Sequence, residues 1–471
     1  MPENNDAVQS ARDAPHAEPY TIFDARQRSL IVAIVSIAAT FSGFASNIYF
    51  PVLPTLARDF NVSIELINLT VTTYLIFQAI APSLWGPISD VKGRRSAYIG
   101  TFLVFLASCI GLAEARNYAT LLVLRCLQST GSASTIAIGA GVIGDITTAE
   151  NRGGYMGIFQ AGLLVPVAIG PVIGGALAGS LGWRSIFWFL AIYSAAFLVI
   201  LICFLPETLR SLVGNGSHAP DAFTKRPLAF YQRTTSVMFS PTQSKVNPKH
   251  IDFTGPLRVL FQKDVAPLIF FVAIHYAIWQ MSITAMSTLF ETRYGLSITQ
   301  VGLTFIANGV GSIVGTFTTG KMLDFNYRRL GVKDSDDPVA RLRTARLEFV
   351  PIFSLVQTAS IILFGWTIRY NVPIAIPIVS SFVTGWTAIS TQSVIMTYAV
   401  DVYPQQSAAA SAGVNLARCL LAAGGTSIVM PMITGIDTGW TFTICAGVQI
   451  LALLAVGFHL GLDGVLKRSR Q

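Results

Sequence analysis

The chain has 471 residues, 52% of them hydrophobic and only 12% charged, with a formal net charge of +8, and its mean hydropathy is +0.58. A soluble protein of this length carries about 25% charged residues, so most of this chain has no water to face. An ordinary soluble enzyme or a nucleic-acid-binding protein is excluded on that ground, and the basic excess has to be explained by topology.

Residues 1–29 are polar and hold no apolar signal-peptide core, which predicts a cytoplasmic tail and an uncleaved first span. Twelve apolar runs follow, near 30–50, 68–89, 96–115, 119–143, 155–179, 186–205, 266–290, 298–323, 347–369, 373–398, 408–433 and 440–462. Each is close to the ~20 residues that cross a hydrocarbon core of about 30 Å as a helix. The runs are continuously apolar rather than alternating, which predicts helices and not a barrel. The expected fold is therefore an all-α membrane protein embedded in a lipid bilayer. Its units are 1–29, a six-helix half over 30–205, a cytoplasmic loop over 206–265, a second half over 266–462 and a tail over 463–471. With an even number of spans both termini share a side, and 25 of the 32 Lys and Arg residues then fall there. The positive-inside rule makes that side cytoplasmic.

The halves are related. Shifting the sequence by 234 positions lays Ser63-Ile64 on Ser297-Ile298 and Leu69-Thr70 on Leu303-Thr304. The same shift lays Gly86, Asp90, Arg94 and Arg95 on Gly320, Asp324, Arg328 and Arg329. After an insertion of 22 in the second half, Asp145 falls on Asp401 and Gly157 on Gly413. A parallel repeat of this kind belongs to transporters whose site lies between the halves near mid-membrane.

Several segments carry a family resemblance. Gly86-Pro87-Ile88-Ser89-Asp90-Val91-Lys92-Gly93-Arg94-Arg95 resembles the loop signature of the major facilitator superfamily. Arg125, Gln128 and Gly131 resemble the fourth-span motif of its drug:proton antiporters, and Gly170-Pro171-Val172-Ile173-Gly174-Gly175 their fifth-span motif. Asn47 and its neighbours Ser46 to Pro51 are similar to the end of their first span. Asn415-Leu416-Ala417-Arg418-Cys419 and Ser185-Ile186-Phe187-Trp188 resemble the citrate exporters among them. The resemblance, over about 30–465, implies the major facilitator fold of two pseudo-symmetric halves, and is nearest to the fungal twelve-span drug:proton antiporters of the quinidine-resistance and citrate-exporter type.

Each motif also has a direct physical reading. Asp90 is placed to meet a helix N-terminus, where the dipole favours a negative charge. With Gly86, Gly93, Arg94 and Arg95, and with Gly320, Asp324 and Arg328 in the other half, it forms a candidate gate. Gly170 and Pro171 permit close helix contact and loosen the backbone ladder, a candidate hinge. An arginine inside a span costs about 2.5–3.5 kcal/mol on insertion scales, so Arg125 should face a cavity or a partner. Arg125, Gln128 and Ser132 share one helical stripe, as do Asn415 and Arg418 in the eleventh span. Tyr276 and Gln280, with Trp279 and His275 beside them, do so in the seventh, and Trp386 and Ser393 in the tenth. The rival reading of any one such residue is a bond to an adjacent helix.

Two arginines and no mid-span carboxylate suit an anion held by charge-assisted, bidentate bonds. The expected cargo is a small anionic solute, a citrate-like di- or tricarboxylate, with proton-coupled multidrug or polyamine export as the alternative. His275, Asp145 and Asp401 are the candidate proton carriers. Gly315 to Lys321 mimics a phosphate loop, but Met322 replaces the Ser or Thr that such a loop needs and no strand precedes it. The five cysteines lie in apolar runs without metal spacing. No cofactor, metal or nucleic acid is expected, and a monomer in the plasma membrane is. Epitope tags at residue 5, residue 235 and the C-terminus should all resist external protease on intact cells; cleavage of the central tag would overturn the topology.

Overall fold

The computed structural model describes residues 20–216, 255–262, 265–330, 338–402 and 407–468. The 1–19 tail and most of the 206–265 loop lie outside the described residues. Among the described residues twelve long helices carry the fold: α1 Ala25–Asn47, α2 Ile64–Lys92, α3 Arg94–Ala113, α4 Tyr118–Ile146, α5 Ala149–Leu181 and α6 Arg184–Phe204 form the first half. The second half holds α7 Ala266–Tyr294, α8 Ile298–Arg329, α9 Val350–Arg369, α10 Ala375–Val402, α11 Ser407–Ile436 and α12 Thr438–Arg468. Eleven of these segments are long and apolar enough to cross a membrane. The remaining one, α10, spans 28 residues but is diluted by Ser380, Ser381, Thr384, Thr387, Ser390 and Thr391, all buried. Its hydroxyls face neighbouring helices or bond carbonyls one turn back, so a helix this polar still fits inside the bundle.

Side-chain placement is the inverse of a soluble protein's. Leu181, Ile192 and Phe458 stand 72%, 68% and 70% exposed on the perimeter, whereas Asn68, Arg125, Gln128, Gln357 and Gln449 are buried. Such a continuous apolar exterior would be an aggregation surface in water and is a solvated one in lipid.

The internal repeat is visible in the packing. In the first half α1 packs on α5, α2 on α4, α3 on α4 and α3 on α6; in the second, α7 packs on α11, α8 on α10, α9 on α10 and α9 on α12. Adding six to each helix number converts one list into the other. The paired sequence Ser63-Ile64 and Ser297-Ile298 also has one structural meaning, because both serines cap the helix that follows. Ser63 Oγ accepts from Leu66 N, and Ser297 forms a reciprocal box with Gln300.

Two seams join the halves: α5 against α8, and α2 against α11. At the first, a Cβ on Gly175 would lie 3.0 Å from the Cα of Gly302, and one on Gly302 2.6 Å from the carbonyl oxygen of Pro171. Only glycine permits the backbones to meet so closely. Gly170 and Pro171 thus sit on the inter-half seam and against α1, where Asn47 faces Gly170. At the second seam, Thr72 and Thr426 share a hydroxyl–hydroxyl bond of 3.1 Å and Asn415 Nδ2 donates to the Gln78 carbonyl at 3.4 Å.

The halves also meet at the bundle end away from α1's start. There the 3-10 turn Phe50–Val52 and the short helix Leu53–Asp59 touch α7 and α8. Phe50 stacks on Phe305 at 6.1 Å between ring centroids. Arg58 forms an ion pair with Glu291 across the halves, the two side chains being 61% and 21% exposed. At the opposite end the ion pairs Arg94–Asp90, Arg94–Asp145, Arg329–Glu348 and Arg346–Asp401 each stay within one half. An exposed pair contributes about 0.2–1 kcal/mol, so Arg58–Glu291 can latch one end without locking it. Arg58→Glu alone should make this end more reactive to impermeant thiol probes placed at Thr55, and adding Glu291→Arg should reverse the change; no difference between the single and double variants would remove the latch.

Candidate functional site

Arg125 lies on α4, seven residues past its first residue, Tyr118, and is 1% exposed. Its guanidinium is held between two rings, 4.0 Å from the Tyr49 centroid and 4.3 Å from that of Tyr74. Nη1 donates to the Ala45 carbonyl at 3.1 Å and to Gln128 Oε1 at 2.6 Å. The rings are themselves fixed. Tyr49 shares a hydrogen bond with Thr70 Oγ1 at 2.8 Å, and Tyr74 one with Ser132 Oγ at 2.9 Å. The stripe of Arg125, Gln128 and Ser132 therefore forms one network with α1 and α2. Desolvated cation–π contacts are worth about 2 kcal/mol each, enough for two of them to offset the cost of an arginine inside a span. The charge is thereby stabilised without being neutralised. Nε stays buried with no hydrogen-bond partner.

The second half offers a looser counterpart. Arg418 is half-buried on α11, donates from Nε at 3.2 Å and from Nη2 at 3.0 Å to Asn415 Oδ1, and lies 4.8 Å from the Tyr276 centroid. Trp279 packs edge-on to Tyr276 at 5.5 Å, and its indole Nε1 is buried without a partner. Gln280 is buried on the same helix, one turn beyond Tyr276. Through Asn415 this group reaches α2 of the first half. Among the described residues neither Arg125 nor Arg418 has a carboxylate partner.

Other sequence-predicted residues are placed elsewhere. The indole of Trp386 donates to Thr318 Oγ1 at 3.2 Å, a contact between α8 and α10 inside the second half. Ser393 accepts at its carbonyl from Thr397 one turn on. Asn47 donates to the Gly43 carbonyl of its own helix at 2.8 Å. His275 is fully buried, with Nδ1 3.0 Å from the Phe271 carbonyl and Nε2 2.8 Å from Ser354 Oγ on α9. Both ring nitrogens are thus engaged between α7 and α9. The polar atoms of Trp386 and His275 thus bond helices other than α11.

The candidate gate is built differently in its two copies. Arg94 is the hub of the first: Nη1 meets Asp90 Oδ1 at 2.5 Å and Nε meets Asp145 Oδ2 at 3.0 Å. The Asp145 side chain is 15% exposed against 60% for Asp90, so Asp145 is the buried partner. At the N-terminus of α3 the carboxylate is Glu207 rather than Asp90. It accepts from Arg94 N at 2.8 Å and Arg95 N at 3.2 Å, joining the end of α6 to the start of α3. Gly93 has φ +102°, and a Cβ there would collide with Glu207, so this turn requires glycine. Arg95 is buried and donates to the Ile202 carbonyl. Ser89, rather than Gly86 itself, carries the side-chain bond there, donating to the Gly86 carbonyl at 2.8 Å.

The second copy lacks that turn. α8 runs unbroken through Arg329, leaving Gly320, Asp324 and Arg328 exposed. Asp401 is bound instead by Arg346, at 2.9 Å, from the short helix Pro338–Leu347 that the second half inserts. Asn326 and Arg329 both hold Glu348. Sequence reasoning missed Glu207, Arg346, Tyr49 and Tyr74. Glu207 had a signal, being a lone carboxylate immediately after the apolar α6. The tyrosines had none, since no spacing reveals which ring on one helix will cover an arginine on another.

The geometry is that of a two-half membrane carrier with buried charge between close-packed seams, and comparison with known proteins agrees. Residues 35–426 match the model of the Major Facilitator Superfamily. The chain belongs to that superfamily: it is an integral membrane transporter that works by alternating access, and it is not an enzyme. It is 38% identical over 452 residues to Citrate exporter 1 of Aspergillus niger, covering 92% of this chain and 85% of the relative. It is 36% identical over 453 residues to the MFS antiporter QDR2 of Candida albicans, covering 94% and 90%. The crystal structure of the human organic anion transporter MFSD10 shares the fold, with TM-score 0.61 at 16% identity over 91% of this chain and 99% of that one.

Removing one partner of an ion pair costs more the less exposed the pair is, approaching about 3–5 kcal/mol at full burial. Asp145→Asn should therefore lower both thermal stability and transport rate more than Asp90→Asn, whose pair is exposed. Equal losses in the two variants would put the gate's charge at Asp90.

Proposed function

We propose that the chain exports an organic acid anion of the citrate-like di- or tricarboxylate type. The observation that carries this reading is a pair of guanidinium groups, Arg125 and Arg418, on opposite halves and, among the described residues, without carboxylate partners, in helices whose Asp and Glu residues all lie near their ends. Unused donors stand at both, Arg125 Nε and the Trp279 indole beside Arg418. A planar guanidinium with a free edge takes a carboxylate through two parallel bonds. Alternating access then presents the anion to one side at a time, with Arg418, the half-buried member, taking it first and Arg125 engaging it as the halves close. Gln128, Asn415, Tyr276 and Gln280 fix the two guanidinium groups or line the path between them. Likeness to Citrate exporter 1 supports the same class. Any coupled proton is assigned to His275, Asp145 or Asp401, each of which is held by a partner that a proton would have to displace or share. As such an exporter the protein would act in the plasma membrane as a monomer, and the basic-residue asymmetry supports cytoplasmic termini and a cytoplasmic 206–265 loop.

A second reading, export of lipophilic drugs, draws on likeness to QDR2 and on the aromatic walls Tyr49, Tyr74, Tyr276 and Trp279. Paired measurements separate the two. In proteoliposomes, Arg418→Ala should lose citrate transport, because truncating one partner of a buried hydrogen-bonded charge pair costs about 2–5 kcal/mol. Arg418→Lys should recover part of it, a point charge replacing a fork. Efflux of a cationic drug should be unchanged in both. Drug efflux by a parent protein that never carries citrate would sink the organic-acid reading.

A further inference from the structure

At the latched end of the bundle a cavity of about 610 Å³ opens between the last turns of α7 and α11, lined by Thr288, Thr292, Arg293, Met430, Thr434 and Asp437 among others. It is separate from the Arg125–Arg418 region and lies beside Glu291, one turn from Thr288 on α7. The charges around it are unequal. Asp437 is satisfied by Arg369 Nε at 3.1 Å and by the Thr438 backbone N–H at 2.5 Å, whereas Arg293 stands 4.0 Å from it and is 43% exposed. Glu291 is taken by Arg58. Three arginines thus face two carboxylates, and Arg293 is the one held least tightly. Inside the cavity wall Thr288 Oγ1 is buried and has no hydrogen-bond partner.

The geometry points to a second anion site at this mouth, where Arg293 and the Thr288 hydroxyl receive a carboxylate. The volume falls in the range of small-molecule sites, about 300–1,000 Å³. The walls mix hydroxyls and the loosely held Arg293 with apolar Met430, as a site that fixes a small acid by one end requires. The Asp437 carboxylate lines the same space but is neutralised from behind by Arg369, so its repulsion is reduced. Placed next to the Arg58–Glu291 latch, the site holds an anion at the point where the closed pathway meets the far solution. It rests on the reading of the cargo as a carboxylate. Occupancy from the far side would raise the local concentration of product and slow net export.

The test places Thr292→Cys, an exposed wall position, in the full chain reconstituted in phosphatidylcholine vesicles, and follows labelling by an impermeant maleimide. Millimolar citrate should slow labelling by about fivefold, equivalent to roughly 1 kcal/mol of occupancy. Adding Arg293→Gln or Thr288→Val should abolish most of that protection. An unchanged labelling rate with citrate, or equal protection in the Arg293→Gln chain, overturns the site. Protection by phosphatidylglycerol vesicles without citrate would give the cavity to a lipid headgroup and also overturn it. Flux of labelled citrate in the same vesicles is read separately. Protection without flux leaves this site standing while the proposed cargo fails.

Discussion

Hydrocarbon offers no hydrogen-bond partner, and the rest of this molecule follows from that. Every backbone polar group in a span must be satisfied within the chain, which leaves helices as the means of crossing for continuously apolar runs. Hydroxyl side chains meet much of the same demand locally. Serine and threonine hydroxyls bond carbonyls three or four residues back along α4, α8 and α10. Asn68, Gln128 and Gln449 turn inward, and leucine, isoleucine and phenylalanine turn outward. The interior that results is polar enough to line a solute path and close-packed enough to be rigid.

Rigid halves need seams that can move. The contacts between α5 and α8 are made largely by backbone and small residues, Gly175 on Gly302 and Ala168 on Gly309. Such surfaces are smooth and are joined there by few specific bonds, Thr299 Oγ1 donating to the Gly175 carbonyl at 3.1 Å being one. A rocking motion about them sacrifices little. Stronger interactions are kept within a half, where Arg94 with Asp145 and Arg346 with Asp401 tie helices that move together. The exposed pair Arg58–Glu291, which does cross the halves, is weak enough to be made and broken in each cycle.

The two arginines show how buried charge is kept available. A carboxylate beside Arg125 would satisfy it and also remove its attraction for an anion. Two tyrosine rings stabilise the guanidinium through their faces and leave an edge unspent. Arg418 has one ring and an asparagine, and is correspondingly more open. The two halves thus surround their arginines with different side chains on equivalent helices.

Much of the architecture was legible in the chain alone. Run length and continuous hydropathy determined the spans, because the bilayer imposes one length on each. The repeat determined that Ser63 and Ser297 would start equivalent helices, since capping is a local interaction read within four residues. Three-and-four spacing put Arg125, Gln128 and Ser132 on one face, and they do share a network. Tertiary structure decided what those faces met. The rings of Tyr49 and Tyr74 reach Arg125 from other helices, and no sequence period encodes that meeting. His275 was placed between α7 and α9 by a helix rotation that its neighbour Tyr276, about 100° away, does not share. The matched loop residues Asp324 and Arg328 stayed exposed because α8 continues where α2 stops at Gly93, so Asp401 took Arg346 from an inserted helix. Local periodicity determines which residues share a face; only the packing of one helix on another decides which partner that face receives.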